Sequence, residues 1–184
     1  MVTAFVRNPS KLKVRNDSLR IFEGDIRNIQ LIQNSIKGHD VVLSALGASS
    51  PFKFDKVVVD GIDNIVSAMK AEGVKRFIYL SFVGVKESHN DAGFVIKYIA
   101  PRLLKTEIAG HEKKENIIKR SGLEWTIVRP PTLTKGAHKG IYRSGENIQS
   151  KGFAVSISRA DVADFMIKQL TDNKYVQKVV RVMY

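Results

Sequence analysis

The chain has 184 residues and carries 30 Lys+Arg against 18 Asp+Glu, a formal net charge of +12; at ~150 residues per domain this is one domain around one core. A composition of 43% hydrophobic and 26% charged residues excludes a wholly disordered chain, and zero Cys excludes a disulfide scaffold, a thiolate zinc site and a cysteine nucleophile. No apolar run approaches the ~20 residues of a membrane span and Met1 to Val6 is too short for a signal-peptide core, so the expected address is cytoplasmic with no membrane partner; the basic excess suits nucleic acid, a membrane surface or an anionic small molecule, and composition does not choose among them.

In chain order, Val2–Val6 is β-branched and aromatic and reads as a strand, stopped by Arg7-Asn8-Pro9-Ser10. Leu19–Glu23 alternates apolar and polar before Gly24-Asp25, a second strand. Asn28–Lys37 has Ile29, Leu31, Ile32 and Ile36 at helical spacings and Gly38 as its stop. Asp40–Leu46 is a continuous apolar run before Gly47, as expected of a strand covered on both faces. Asp55–Glu72 is an amphipathic helix with Val58, Ile62, Ile65, Val66 and Met69 on one side and Gly73 at its end. Arg76–Ser81 is the next strand, followed by a helical stretch from about Phe94 to Arg120, interrupted near Pro101 and stopped by Gly122. Trp125–Arg129 is a strand cut by Pro130-Pro131. Ser158–Leu170 is a helix with Ser158 as N-cap and Asp161 at N3, and Lys178–Val182 is the last strand. Strands alternating with helices predict βαβ units, hence a doubly wound α/β fold with a mostly parallel sheet in a single domain.

In such sheets ligands bind beyond the carboxyl ends of the strands. Those ends are Arg7, Gly24-Asp25-Ile26, Ala45-Leu46-Gly47-Ala48, Ser81-Phe82-Val83-Gly84 and Arg129-Pro130-Pro131. Small residues at Ala45, Gly47 and Ala48 let a flat ligand approach the backbone, and Asp25 is suited to accept from an adenine amino group. Arg7 offers a planar fork for a phosphate; an Arg in this place favours the 2′-phosphate of NADP over the 2′-hydroxyl of NAD. Each has a plainer reading alone, since an Arg after a strand is usually a solvated turn residue and Gly-Asp is a common turn dipeptide.

The strings Val2–Leu12, Glu23-Gly24-Asp25-Ile26, Gly61–Lys70 and Gly73-Val74-Lys75-Arg76 resemble atypical short-chain dehydrogenases of the NmrA-like NAD(P)H-binding group. Ser121–Leu133, with its Ile127-Val128-Arg129-Pro130-Pro131 core, is the most diagnostic of these strings. Within the group the chain is most similar to the flavin reductase / biliverdin-IXβ reductase branch. The resemblance implies a Rossmann-like fold in which Arg7 meets the adenosine 2′-phosphate and Asp25-Ile26 lie beside adenine. It implies that Ala45-Leu46-Gly47 run under the pyrophosphate and nicotinamide ribose, that Ser81 is close to the nicotinamide and that Pro130 is near the carboxamide. His111 matches a histidine of the substrate pocket. The implied cofactor is NADP(H), NAD being less favoured, with a flavin or another flat aromatic acceptor as substrate. Catalysis in such a site is mainly the alignment of two flat rings, with Ser81 and His111 beside them.

Two departures qualify the resemblance. The Tyr-x-x-x-Lys pair of typical short-chain dehydrogenases falls at Glu107 and His111, which argues against a carbonyl reductase with a tyrosine acid. Family members also begin with a strand, a Gly-rich turn and a helix, roughly 25–30 residues, before the strand that opens this chain. Only six residues precede Arg7, and no Gly-x-Gly occurs among 13 glycines, so the chain is expected to be N-terminally truncated relative to the family. A late start, a genuine truncation and a rearranged sheet all fit. In the last, Val2–Val6 pairs directly with Val41–Leu46 or a second chain fills the gap, giving a homo-oligomer.

His39, His89 and His138 show no metal-ligand spacing, and Ser81 lacks a Gly-x-Ser-x-Gly elbow. Glu112 and Glu115 beside Lys113 and Lys114 read as a solvated helix face with local ion pairs. The basic stretch from Lys97 to Arg120 matches no helix-turn-helix, RNA-recognition or zinc pattern, which disfavours nucleic acid as partner. The first expectation is therefore an NADPH-dependent reductase of flavins or similar flat acceptors, impaired if the phosphate loop is lost. The alternative is a non-catalytic dinucleotide-responsive regulator or pseudoenzyme, and the third a basic nucleic-acid module.

Overall fold

The computed structural model describes residues 1–47, 55–85, 105–149 and 155–184. Among the described residues, nine strands and four α-helices follow in the order β1 (Val2–Val6), β2 (Leu19–Glu23), α1 (Ile29–Ile36), β3 (Val41–Ser44), α2 (Lys56–Ala71), β4 (Arg76–Leu80), α3 (Lys105–Lys119), β5 (Glu124–Arg129), β6 (Thr132–Thr134), β7 (Arg143–Gly145), β8 (Ser156–Ser158), α4 (Arg159–Lys168) and β9 (Lys178–Met183). The three short strands β6, β7 and β8 were not legible, because three residues carry too little periodicity to register. Of the helix expected from Phe94, residues 94–104 lie outside the described residues, as do His89 and Ala48.

The helix starts follow side-chain chemistry. Asn28 accepts from the Gln30 and Leu31 amides, Asp55 from Val58, and Ser158 from Asp161, so each first turn is capped by its own Ncap residue. Gly73 and Gly122, expected as stops, hold φ of +70° and +76°, a region that costs residues with a Cβ.

A five-stranded sheet runs β3-β4-β5-β9-β7, parallel except where β7 meets β9. β1 and β2 form a separate parallel pair, and β6 and β8 another. This is the α/β, mostly parallel architecture that the alternation of strands and helices predicts. The direct pairing of Val2–Val6 with Val41–Leu46, one arrangement left open above, does not occur among the described residues.

Alternation along β4 and β5 sends side chains to two cores. Phe77, Tyr79, Trp125 and Ile127 pack with Ile32, Ile62 and Met69 of α1 and α2, whereas Ile78, Val128 and Val180 pack with Val162, Phe165 and Met166 of α4. Both faces of these central strands are therefore covered, which explains their unbroken apolar runs. β3 departs from the expectation of cover on both faces: Val42 packs on the α1–α2 core, yet Leu43 is 43% exposed. Ile62→Ala, at a fully buried position, is expected to cost about 2–5 kcal/mol in urea unfolding, while Leu43→Ala stays near 0.5 kcal/mol.

Candidate functional site

The gap between β1 and β3 forms a cleft of about 820 Å³ that runs along both strands, from Thr3, His39 and Val41 to their carboxyl ends and that of β2. Arg7, Asp25, Ile26, Ala45, Leu46 and Gly47, all expected at a ligand site, line it together. β1 and β3 flank this cleft without a shared ladder; the side chain of His39 meets Thr3 Oγ1 at 2.9 Å and Asn64 Nδ2 donates to the Ile26 carbonyl at 3.0 Å, tying the two sides together. α2 passes so close to the 24–26 turn that a Cβ on Gly61 would lie 2.5 Å from Ile26 Cγ1. Ile26 is therefore fixed by packing as well as by its carbonyl. A Cβ on Gly47 meets nothing within 4 Å among the described residues.

Charge at the mouth is arranged by the turn after β2. Arg27 Nε donates to Asp25 Oδ1 at 2.9 Å and Nη2 to Oδ2 at 2.6 Å, and the Arg27 amide adds a bond of 2.9 Å. These bonds, with the nearby positive charge of Arg7, hold the Asp25 carboxyl at about 2, below its ordinary range. Both Asp25 oxygens are thus engaged, and an adenine amino group would have to share them with Arg27. Arg7 itself is exposed at the end of β1.

The other expected residues, Ser81, His111 and Pro130, do not line that cleft and gather at the ends of β4 and β5. Ser44 pairs with Tyr79 in the β3–β4 register, so Leu46 and Ser81, each two residues further on, leave neighbouring strand ends on the same side of the sheet. The Val83 amide donates to the Pro130 carbonyl at 3.0 Å and the Ser81 amide to Val128 at 2.7 Å, so the β4–β5 ladder continues past the strands and seats Ser81 beside Pro130.

Ser81 and His111 are 6% and 8% exposed, and beside them stand Glu115, which the sequence reading left on a solvated face, and Arg129, named there only as a strand end. Ser81 Oγ donates to Glu115 Oε1 at 2.7 Å. Arg129 Nε donates to the same oxygen at 2.9 Å and Nη2 to Oε2 at 2.7 Å, while Lys119 Nζ reaches Oε2 at 3.1 Å. His111 Nδ1 lies 3.4 Å from Ser81 Oγ, and its ring leans on Phe82 with centroids 6.4 Å apart. Glu115 is fully buried and Lys114 is 3% exposed, so the expected solvated face is corrected: α3 turns both residues inward. The readable signal was spacing, since His111 and Glu115 sit four apart on one helix face, below a strand-end Ser.

Burial drives the His111 pKa down to about 3, and Lys114 and Arg129 push it the same way against Glu115. The imidazole is neutral at physiological pH. Burial opposes ionisation of Glu115, but the Arg129 fork and the Ser81 hydroxyl outweigh it and lower its pKa, so the carboxylate is charged.

A family model described as NAD(P)H-binding matches residues 1–173. The chain is 28% identical over 162 residues to UPF0659 protein YMR090W of Saccharomyces cerevisiae, over 85% of this chain and 68% of that one. It spans 61%, 31% and 63% of the length of three further curated relatives. A solved short-chain dehydrogenase/reductase from Veillonella parvula, in complex with NADP, superposes with a TM-score of 0.76 at 19% identity, over 98% of this chain and 81% of that one. The structure of ChuY, described as an anaerobillin reductase from Escherichia coli O157:H7, gives 0.74 at 19% identity, over 98% and 82%. At these identities the two structures show a common fold.

Removing one partner of the buried pair leaves a lone charge inside. Arg129→Met is expected to cost about 3–5 kcal/mol in urea unfolding, and adding Glu115→Leu to restore much of it. Glu115 titrates lower when folded than the ~4.3 of an unfolded chain. Its stabilisation is therefore complete above that value and falls away with pH through the lower folded one, a loss the double variant should not show on acid titration.

Proposed function

The chain belongs to the NAD(P)H-binding family, and on that premise we propose that it is an NADPH-dependent reductase of flavins or similar flat conjugated acceptors. The observation that carries the reading is the set of strand ends: Arg7, Asp25, Ile26, Ala45, Leu46 and Gly47 converge on one cleft, with Ser81 and Pro130 at the adjoining strand ends.

The residues present fit a dinucleotide at both ends of that line. Arg7, exposed at the mouth, is suited to a 2′-phosphate, and Gly47, with no Cβ, lets a ligand approach its backbone. Ser81 and Pro130 would stand beside the nicotinamide, and when bound that ring supplies the hydride. The middle is less well provided. The first amides of α1 are taken by Asn28 and one amide of the first turn of α2 by Asp55, so among the described residues these helix starts are capped by the chain itself. This supports the alternative of a dinucleotide-responsive regulator, in which binding occurs without turnover.

Little acid–base chemistry is asked of the chain in either case. His111 is neutral and buried, and Ser81 is bound to a carboxylate, so in the reductase the proton that follows the hydride comes from solvent. What the protein supplies is orientation of two flat rings and exclusion of water between them.

Fluorescence titration with NADPH and NADH tests the cofactor. Arg7→Ala is expected to weaken NADPH by about 10–100-fold, the worth of a charge-assisted bond, and NADH by less than about threefold. Equal loss for both would remove Arg7 from the 2′-phosphate. NADPH oxidation with FMN or a quinone separates the two readings: turnover supports the reductase, and saturable binding with no turnover the regulator.

A further inference from the structure

The Ser81–Glu115–Arg129 cluster fixes something that neither the fold nor the family assignment states, namely the direction in which the Ser81 proton points. An ionised carboxylate only accepts, and Ser has a single hydroxyl proton. Glu115 holds three donors besides Ser81: Arg129 through Nε and Nη2, and Lys119 through Nζ. With the guanidinium locked on both oxygens, the carboxylate cannot become a donor, and the 2.7 Å bond commits the Ser81 proton to it. Ser81 Oγ then has only lone pairs to offer in any other direction. The contact with His111 Nδ1 at 3.4 Å can be a hydrogen bond only if Nδ1 carries the proton.

We infer that Glu115 is a positioning residue that sets the hydrogen-bond polarity of this site, making Ser81 an acceptor toward the ligand. The ligand group opposite Ser81 is therefore an N–H or O–H donor, such as the amide NH₂ of a nicotinamide carboxamide, and never a carbonyl oxygen awaiting polarisation. This identification of the ligand group rests on the dinucleotide reading above; the direction of the protons does not. The site would then disfavour simple aldehydes and ketones, whose reduction needs a donor on the oxygen.

Two measurements on the full chain separate these layers. Long-range ¹H–¹⁵N correlation spectra should show His111 as the neutral Nδ1–H tautomer; the Nε2–H tautomer would overturn the inference. Binding of NADP⁺ should then be compared with binding of its 3-acetylpyridine analogue, which has a methyl ketone in place of the carboxamide and so no donor. The wild-type chain should favour NADP⁺ by about tenfold, the effect of one hydrogen bond and the group left unpaired. Ser81→Ala, which leaves the Glu115–Arg129 pair intact, should bring the ratio to within about twofold of one, and Glu115→Gln should do the same. A purely structural role for Glu115 predicts that both dinucleotides weaken alike with the ratio unchanged. Parity in the wild-type chain, or a preference retained in Ser81→Ala, overturns the ligand assignment. An Nδ1–H tautomer with no binding of NADP⁺ upholds the proton direction and sinks the dinucleotide reading instead.

Discussion

Glu115 and Arg129 meet where no water reaches, at 0% and 1% exposure, and much of the site is arranged around that contact. Burying either ion alone is costly by several kcal/mol, and the Arg fork repays it only because two bonds form at once, at 2.9 and 2.7 Å. Glu115 comes from the middle of α3 and Arg129 from the last position of β5, so the pair fixes the helix over the carboxyl end of the sheet. Ser81 and Lys119 complete the coordination of the carboxylate, and Tyr79 Oη lies buried with no partner among the described residues. The ion pair thus defines the height and rotation of α3, and with them the position of His111 against Phe82.

A second constraint acts on the opposite side of the site. The β1–β2 pair joins the rest of the molecule through side chains and helix packing, because β1 has no ladder to β3 among the described residues. Phe5 and Ile26 lean on the α1–α2 core, and the His39–Thr3 and Asn64–Ile26 bonds hold the two ends. The cleft that results brings together residues from three separate strand ends. Backbone approach there is governed by Gly61, whose missing Cβ is what lets α2 reach Ile26. The cleft and the ion-pair cluster are therefore built on different physics: one on apolar packing around a gap, the other on a satisfied charge in a dry interior.

Periodicity and punctuation made the element order readable. Among the described residues the helices lie where apolar spacing and punctuation place them, with Ser158 as the expected Ncap, because those signals are local and act within one turn. The long strands were readable for the same reason. The strand-end residues of the cleft were legible too, since a parallel sheet carries its ligand contacts at its carboxyl ends whatever the details. Leu43 was misjudged because a run of Val and Leu does not say which face lacks a covering layer.

Glu115 and Lys114 show where local reasoning stops. In a run of Glu-Lys-Lys-Glu the default is a solvated face, and nothing within the helix contradicts it. The contradiction comes from Arg129, fourteen residues away and on another element, which only the packing of α3 on β5 brings into range. The sequence by itself therefore determined the class of fold, the order of strands and helices among the described residues and where the strands end, because these depend on neighbours along the chain. Tertiary structure alone decided which charges are buried, what Ser81 donates to and that His111 is neutral, because each depends on groups that meet only across the core.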